Sequence, residues 1–200
     1  SSDLVRAELP CIADAPVQFD HAPRHLRVGL AKMRLGHGRS RGRAIGLVVD
    51  GEPRIGVVYD PIRDELFAAE RGAGATLNGA SIRVSAKRSL GESVCATSLQ
   101  RGAGMALVES ISLAARSTRA LGTSAIALAW VAAGRIDAYV QDANLSLWDI
   151  AGPGLIAVEA GAVVEGLRGE PWLNLDAAHD SRIVACTPGI ATEVRSIVSR

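Results

Sequence analysis

Apolar positions along this chain change spacing several times, and each change marks an element. Ala44–Asp50 (AIGLVVD) and Arg54–Asp60 (RIGVVYD) hold short β-branched blocks, which predicts two strands. Asp50-Gly51 between them is a hairpin signal, because glycine accepts the positive φ of a tight turn. A third strand is expected over Glu65–Glu70, with Arg71 to Gly74 turning the chain. Asn78-Gly79 then marks another tight turn before a strand over Ser81–Val84. Asp60 and Asp64 flank Pro61 and read as turn residues, since Asp bonds its own backbone in such turns.

Beyond Ser85 the pattern alternates between strands and helices. Ser93–Ser98 reads as a strand, and Met105–Ala115 as an amphipathic helix with Leu107, Ile111 and Ala115 on one face. Ser124–Ala133 is small or apolar almost throughout, which suits a helix packed on several sides, and Gly134 stops it. A short strand over Ile136–Gln141 and a polar loop lead to Trp148 and Asp149. A helix is expected over Ile150–Ala160, with Asp149 at its N-cap and Gly161 past its end. Strands over Ala162–Glu165 and Ile183–Ala185 and a helix over Pro188–Val198 complete the pattern. Trp172 is expected to pack on the surface, Trp148 in the core, and His179 to be a surface histidine.

Composition narrows the class without naming a function. At 200 residues, 48% hydrophobic and 22% charged, the chain is globular. Its formal net charge of +1 gives no global reason to expect a polyanion partner. No apolar run reaches the ~20 residues that cross a bilayer, and SSDLVRAELP carries no signal-peptide pattern. Cys11, Cys95 and Cys186 are widely spaced, which excludes a CxxC metal pair and predicts a reduced, cytoplasmic setting.

Gln18–Arg43 stands apart. It holds six Arg, one Lys and three of the four His against one acid, Asp20, a local balance of about +6. It keeps no strand periodicity and is expected to be irregular, because it buries too little apolar surface to offset the cost of ordering. Three origins are open: a shift of reading frame, a basic arm on an inactive homologue, or a nucleic-acid-binding insertion. Nucleic acid is the weakest of these, since Phe19 is the one ring there for base stacking besides the histidines.

Three segments together bear a resemblance. WDIAGPGLIAVEAGAVV, the upstream GTSAIALAWVAAGRIDAYV, and Gly56–Ser85 (GVVYDPIRDELFAAERGAGATLNGASIRVS) resemble segments of the inositol monophosphatase family, and they follow one another along the chain in the family's order. Those are Mg²⁺-dependent small phosphomonoesterases, and the likeness covers roughly residues 44 to 200. It implies a layered α/β fold, an α-β-α-β-α sandwich. An N-terminal α+β part would span residues 1–85, including the basic segment 18–43, and a C-terminal α/β part residues 86–200. It also implies removal of phosphate from a small polyol phosphate (an inositol, sugar or histidinol phosphate), no membrane, and a cytoplasmic homodimer.

Site residues follow from the same resemblance. Asp149 matches the family's metal-binding acid, which holds Mg²⁺ and touches a substrate hydroxyl. Gly122, Thr123 and Ser124 match a substrate-contacting helix start, with Ser124 in place of the usual Ala. Gln141 or Asp142 falls where the family has a substrate-recognition Glu, because the loop to Asp149 is one residue longer here. The family's Asp-Pro-Ile-Asp-Gly-Thr metal motif has no match, its nearest approach being Asp20-His21-Ala22-Pro23. Glu8 reads as a surface acid rather than a remnant of the upstream ligands. A helix N-terminus offers an anion about 0.3–1 kcal/mol, against roughly 8 kcal/mol for micromolar binding. Asp149 and Gly122-Thr123 alone would therefore not hold a phosphate ester, and the alternative is a catalytically inactive homologue acting as a scaffold or polyanion-binding protein.

Overall fold

Two sheets enclose a pair of helices in the computed structural model, which describes residues 26–32, 43–98, 104–175 and 181–199. The first is an antiparallel meander in chain order. Its strands are β1 (Leu26–Lys32), β2 (Arg43–Val49), β3 (Glu52–Asp60), β4 (Glu65–Glu70), β5 (Gly74–Leu77) and β6 (Ala80–Ile82). The turn chemistry read from the sequence explains the meander. Asp50 and Gly51 have φ of 52° and 82°, and Asn78 and Gly79 have 50° and 83°, the paired left-handed residues of tight hairpins. Asp60 bonds as a turn residue does, accepting from the Ile62 N–H at 3.0 Å and from Arg63 at 2.8 Å.

The second sheet is mixed, in the order β10 (Val163–Glu165), β11 (Ser181–Cys186), β9 (Ala138–Leu145), β7 (Val94–Thr97), β8 (Ser117–Arg119). β7 runs parallel to β8 and β9, whereas β11 is antiparallel to β9 and β10. Helix α1 (Met105–Ala114) follows β7, α2 (Ser124–Ala132) precedes β9, α3 (Leu147–Glu159) follows β9 and α4 (Ala191–Val198) follows β11.

Burial sets the layers. Ala125, Ile126 and Ala129 of α2 join Leu155 and Ile156 of α3 against Ala44, Val58, Phe67 and Ala69 of the first sheet. Ala127, Leu128 and Val131 of α2 and Ile150 of α3 face Ala96, Tyr139, Ile183 and Ala185 of the second sheet. α1 and α4 cover the far face, where Ile111 and Val194 meet Cys95, Val140, Val184 and Cys186. The described residues thus form an α/β sandwich, as expected, and supply four of its five expected layers, β-α-β-α. α2 is apolar all round because it lies between two sheets, as its composition implied.

α3 sits unusually low on the first sheet. A Cβ on Gly152 would lie 2.1 Å from the Ile45 carbonyl oxygen, and one on Gly56 would lie 2.3 Å from the Gly152 carbonyl oxygen. Glycine at both positions lets helix and strand backbones touch. At the other end of α3, Glu159 accepts from the N–H groups of Gly72 and Gly74, at 3.0 Å each, and ties the helix to the β4–β5 turn.

Several expectations need correcting. Leu26–Lys32, inside the basic segment, is a strand whose every residue pairs with β2, from Leu26↔Val49 to Lys32↔Arg43. Leu26, Val28 and Leu30 recur with the strand period of two, a short signal that the surrounding basic residues and glycines hide, and β2 supplies the backbone partners. Residues 18–25 and 33–42, Glu8, Cys11 and His179 lie outside the described residues. The polar loop expected after Gln141 is instead the end of β9, because β11 pairs with it as far as Leu145. α3 starts three residues early, with Ser146 as N-cap, so Asp149 is the third helical residue and not the cap. Trp172 is half-buried and stacks over Gly154 of α3, where a Cβ would meet the indole at 2.5 Å. β8 had no signal, since three residues pairing on one side need no apolar run.

Candidate substrate and metal site

Asp149 is held at the start of α3 by a local device. It is the acid of a capping box: the Ser146 N–H donates to Asp149 Oδ2 at 3.0 Å, and the Ser146 side chain accepts from the Asp149 N–H in return. The pattern Ser-x-x-Asp is present in the sequence, one turn earlier than the cap first expected. The carboxyl is half-buried, and burial pushes its pKa up, while the Ser146 N–H pulls the other way. An approaching cation would act against that rise and favour the charged carboxylate.

The start of α2 lies on the same side of the second sheet as α3. Gly122 has φ of 72°, and a Cβ there would meet nothing within 4 Å, so the turn opens outward. Thr123 is the N-cap residue and Ser124 the first residue of the helix. Ser124 Oγ donates to Gln141 Oε1 at 3.3 Å, which joins two of the candidate substrate-side positions.

Gln141 and Asp142 point to opposite faces of β9, as successive strand residues must. Gln141 is 2% exposed and faces α2, where the Tyr139 hydroxyl also donates to its Oε1 and its own Nε2 donates to the Ala143 carbonyl at 2.7 Å. Asp142 is on the α1 side, and its Oδ2 accepts from the Gly104 N–H at 2.7 Å, at the positive end of that helix. Tyr139, which the sequence reading passed over, sits two residues from Gln141 on the same strand face. Burial pushes its phenol pKa well up; the Ser124 hydroxyl lowers it and the Asp149 charge raises it further.

Mg²⁺ takes near-octahedral oxygen ligands and keeps several waters. Among the described residues no group of three or more His, Cys, Asp and Glu could hold a metal ion. Asp149 supplies one carboxylate, which does not make a magnesium site by itself. Asp137 is buried for another reason: it accepts from the Ser85 hydroxyl at 2.5 Å and from the Val94 N–H at 2.7 Å. Those bonds fasten the crossing between the two sheets. Asp60 is fully buried but committed to its own turn. No helix among the described residues is long and apolar enough to cross a membrane.

A meander and a mixed sheet sandwiching two helices, with an acid in the first turn of the second helix, define a layered α/β sandwich. The family model described as the inositol monophosphatase family matches residues 43–199, and the chain belongs to that family. It is 39% identical over 139 residues to a Nus factor SuhB of Xylella fastidiosa, covering 66% of this chain and 50% of that protein. It is 40% identical over 128 residues to inositol monophosphatase 2 of Solanum lycopersicum, covering 60% of this chain and 48% of that protein. An IMPase structure from Thermotoga maritima superposes on 80% of this chain and 61% of its own, with a TM-score of 0.72 and 33% identity. A Bartonella henselae suhB structure does so over 80% and 64%, with a TM-score of 0.71 and 34% identity. The chain spans about half the length of the curated relatives it matches.

Proposed function

We propose that this chain carries the substrate-side half of a Mg²⁺-dependent phosphomonoesterase acting on a small polyol phosphate such as an inositol, sugar or histidinol phosphate. The observation behind this reading is the half-buried Asp149 carboxylate, fixed at the start of α3 on the side of the sheet that α2 also occupies. Asp149 would be this region's ligand to Mg²⁺, and Gly122, Thr123 and Ser124 would present the helix start to the substrate. When bound, the metal polarises the ester phosphate and makes a nucleophile of water at neutral pH. What the chain's own residues do is hold the acid and the helix start rigidly relative to each other. The division near Ser85 into a meander part and a mixed-sheet part belongs to the same proposal, as do the homodimer and the cytoplasmic setting.

The test is Mg²⁺-dependent release of inorganic phosphate from myo-inositol 1-phosphate, with calorimetry of Mg²⁺ binding on wild type and Asp149→Asn. In the phosphomonoesterase reading Mg²⁺ binding and phosphate release depend on Asp149, so the variant should lose at least about a hundredfold, since even outer-shell changes at metal sites cost 10–100-fold. The second reading is a non-catalytic homologue that keeps the fold. It is favoured by the single carboxylate that the described residues offer a metal. A cooperatively folded wild type that neither binds Mg²⁺ nor releases phosphate would establish that second reading.

A further inference from the structure

The amide of Gln141 is surrounded. Its Oε1 accepts from the Tyr139 hydroxyl and from Ser124 Oγ, and its Nε2 donates to the Ala143 carbonyl. At 2% exposure it has no face left for a ligand. The partners lie on two elements: Ser124 opens α2, while Tyr139 is near the start of β9 and Ala143 near its end, three residues before the α3 cap. Only an amide fits these three partners, because the position must accept twice and donate once. A carboxylate there would set a charge against the Ala143 carbonyl oxygen.

We infer that Gln141 is a positioning residue, which locks the start of α2 to the corner between β9 and α3 and does not touch substrate. The inference rests on the proposed phosphomonoesterase reading for its enzymatic readout. In that reading Gly122–Ser124 open the helix that Gln141 fastens to β9, and Asp149 lies on the helix that β9 leads into, so loosening the amide shifts one against the other. A misplacement of this kind lowers turnover of every substrate alike. Direct recognition of a polyol hydroxyl would instead affect only substrates that bear one.

Gln141→Met, Tyr139→Phe and Ser124→Ala each remove part of the network. Hydrolysis of myo-inositol 1-phosphate and of p-nitrophenyl phosphate, which has no polyol, separates the two roles. Each variant is expected to lower kcat/KM about tenfold, the fold-change of roughly one neutral hydrogen bond, by the same factor for both substrates. The Tyr139→Phe, Gln141→Met pair should be no worse than Gln141→Met alone. A loss confined to the inositol ester, or additive losses, would overturn the inference. If wild type releases no phosphate from either ester, the phosphatase reading falls separately, and amide exchange decides the matter. Faster exchange over Ser124–Leu128 and Leu147–Ile150 in Gln141→Met and Tyr139→Phe, with β2 to β4 unchanged, sustains it; unchanged exchange there refutes it.

Discussion

Gly152→Ala isolates the contact on which the whole helix layer rests. Alanine is the better helix former by about 1 kcal/mol, so local propensity alone expects stabilisation. The tertiary contact expects the opposite. The new Cβ would stand 2.1 Å from the Ile45 carbonyl oxygen, 2.8 Å from its carbon and 3.2 Å from the Gly46 nitrogen. Ordinary contact begins at 3.4 Å, so α3 would have to rise by about 1.3 Å over β2, and every atom it meets is backbone. Overpacking typically costs about 1–3 kcal/mol, and immobile neighbours put this site at the upper end. Setting about 3 against about 1 leaves a net loss of about 2 kcal/mol. At roughly 2–4 °C per kcal/mol for a chain of this size, Tm should fall by about 4–8 °C. Urea unfolding followed by tryptophan fluorescence and far-UV circular dichroism measures both quantities. Gly91→Ala, whose Cβ would meet nothing nearer than 3.7 Å, is the matched control and should be near neutral. A Gly152→Ala variant as stable as wild type, or more so, would refute the close-packing account.

Asp137→Ala should cost about 3 kcal/mol in urea unfolding, because it strands the Val94 N–H and the Ser85 hydroxyl that now donate to a buried carboxylate. Asp137→Asn, which keeps an acceptor, should cost less. Burial raises the thiols of Cys95 and Cys186 from 9.0 to about 12, so neither should be alkylated by iodoacetamide at pH 8 in the folded protein. Peptide mapping should find both labelled in urea. Because their folded values are raised, the stability they lend is present below about pH 9 and fades as pH climbs towards about 12. Glu159→Gln should loosen the β4–β5 turn by at least about 1 kcal/mol, since the amide offers one neutral acceptor oxygen where two charged ones now serve the Gly72 and Gly74 N–H groups. Faster amide exchange at Gly72 and Gly74 alone would confirm it.

The hairpins were legible because their causes are local. Asp50-Gly51 and Asn78-Gly79 select left-handed turns through their own backbones, and strand alternation over Arg43–Val49 follows from one buried face. The apolar run Ser124–Ala132 likewise announced a helix between two layers, and three family-like segments were enough to identify the sandwich. Tertiary partners decided the rest. Pairing with β2 made a strand of Leu26–Lys32, whose short Leu-x-Val-x-Leu alternation is hidden among basic residues and glycines in the sequence, and pairing with β11 carried β9 through to Leu145. The same extension moved the α3 start to Leu147 and put Asp149 inside the first turn, capping backwards on Ser146. Two adjacent polar residues, Gln141 and Asp142, looked interchangeable along the chain. The pleat of β9 sends one to α2 and the other to the start of α1, and only the packed sheet fixes which faces which, because a face exists only once something lies against it.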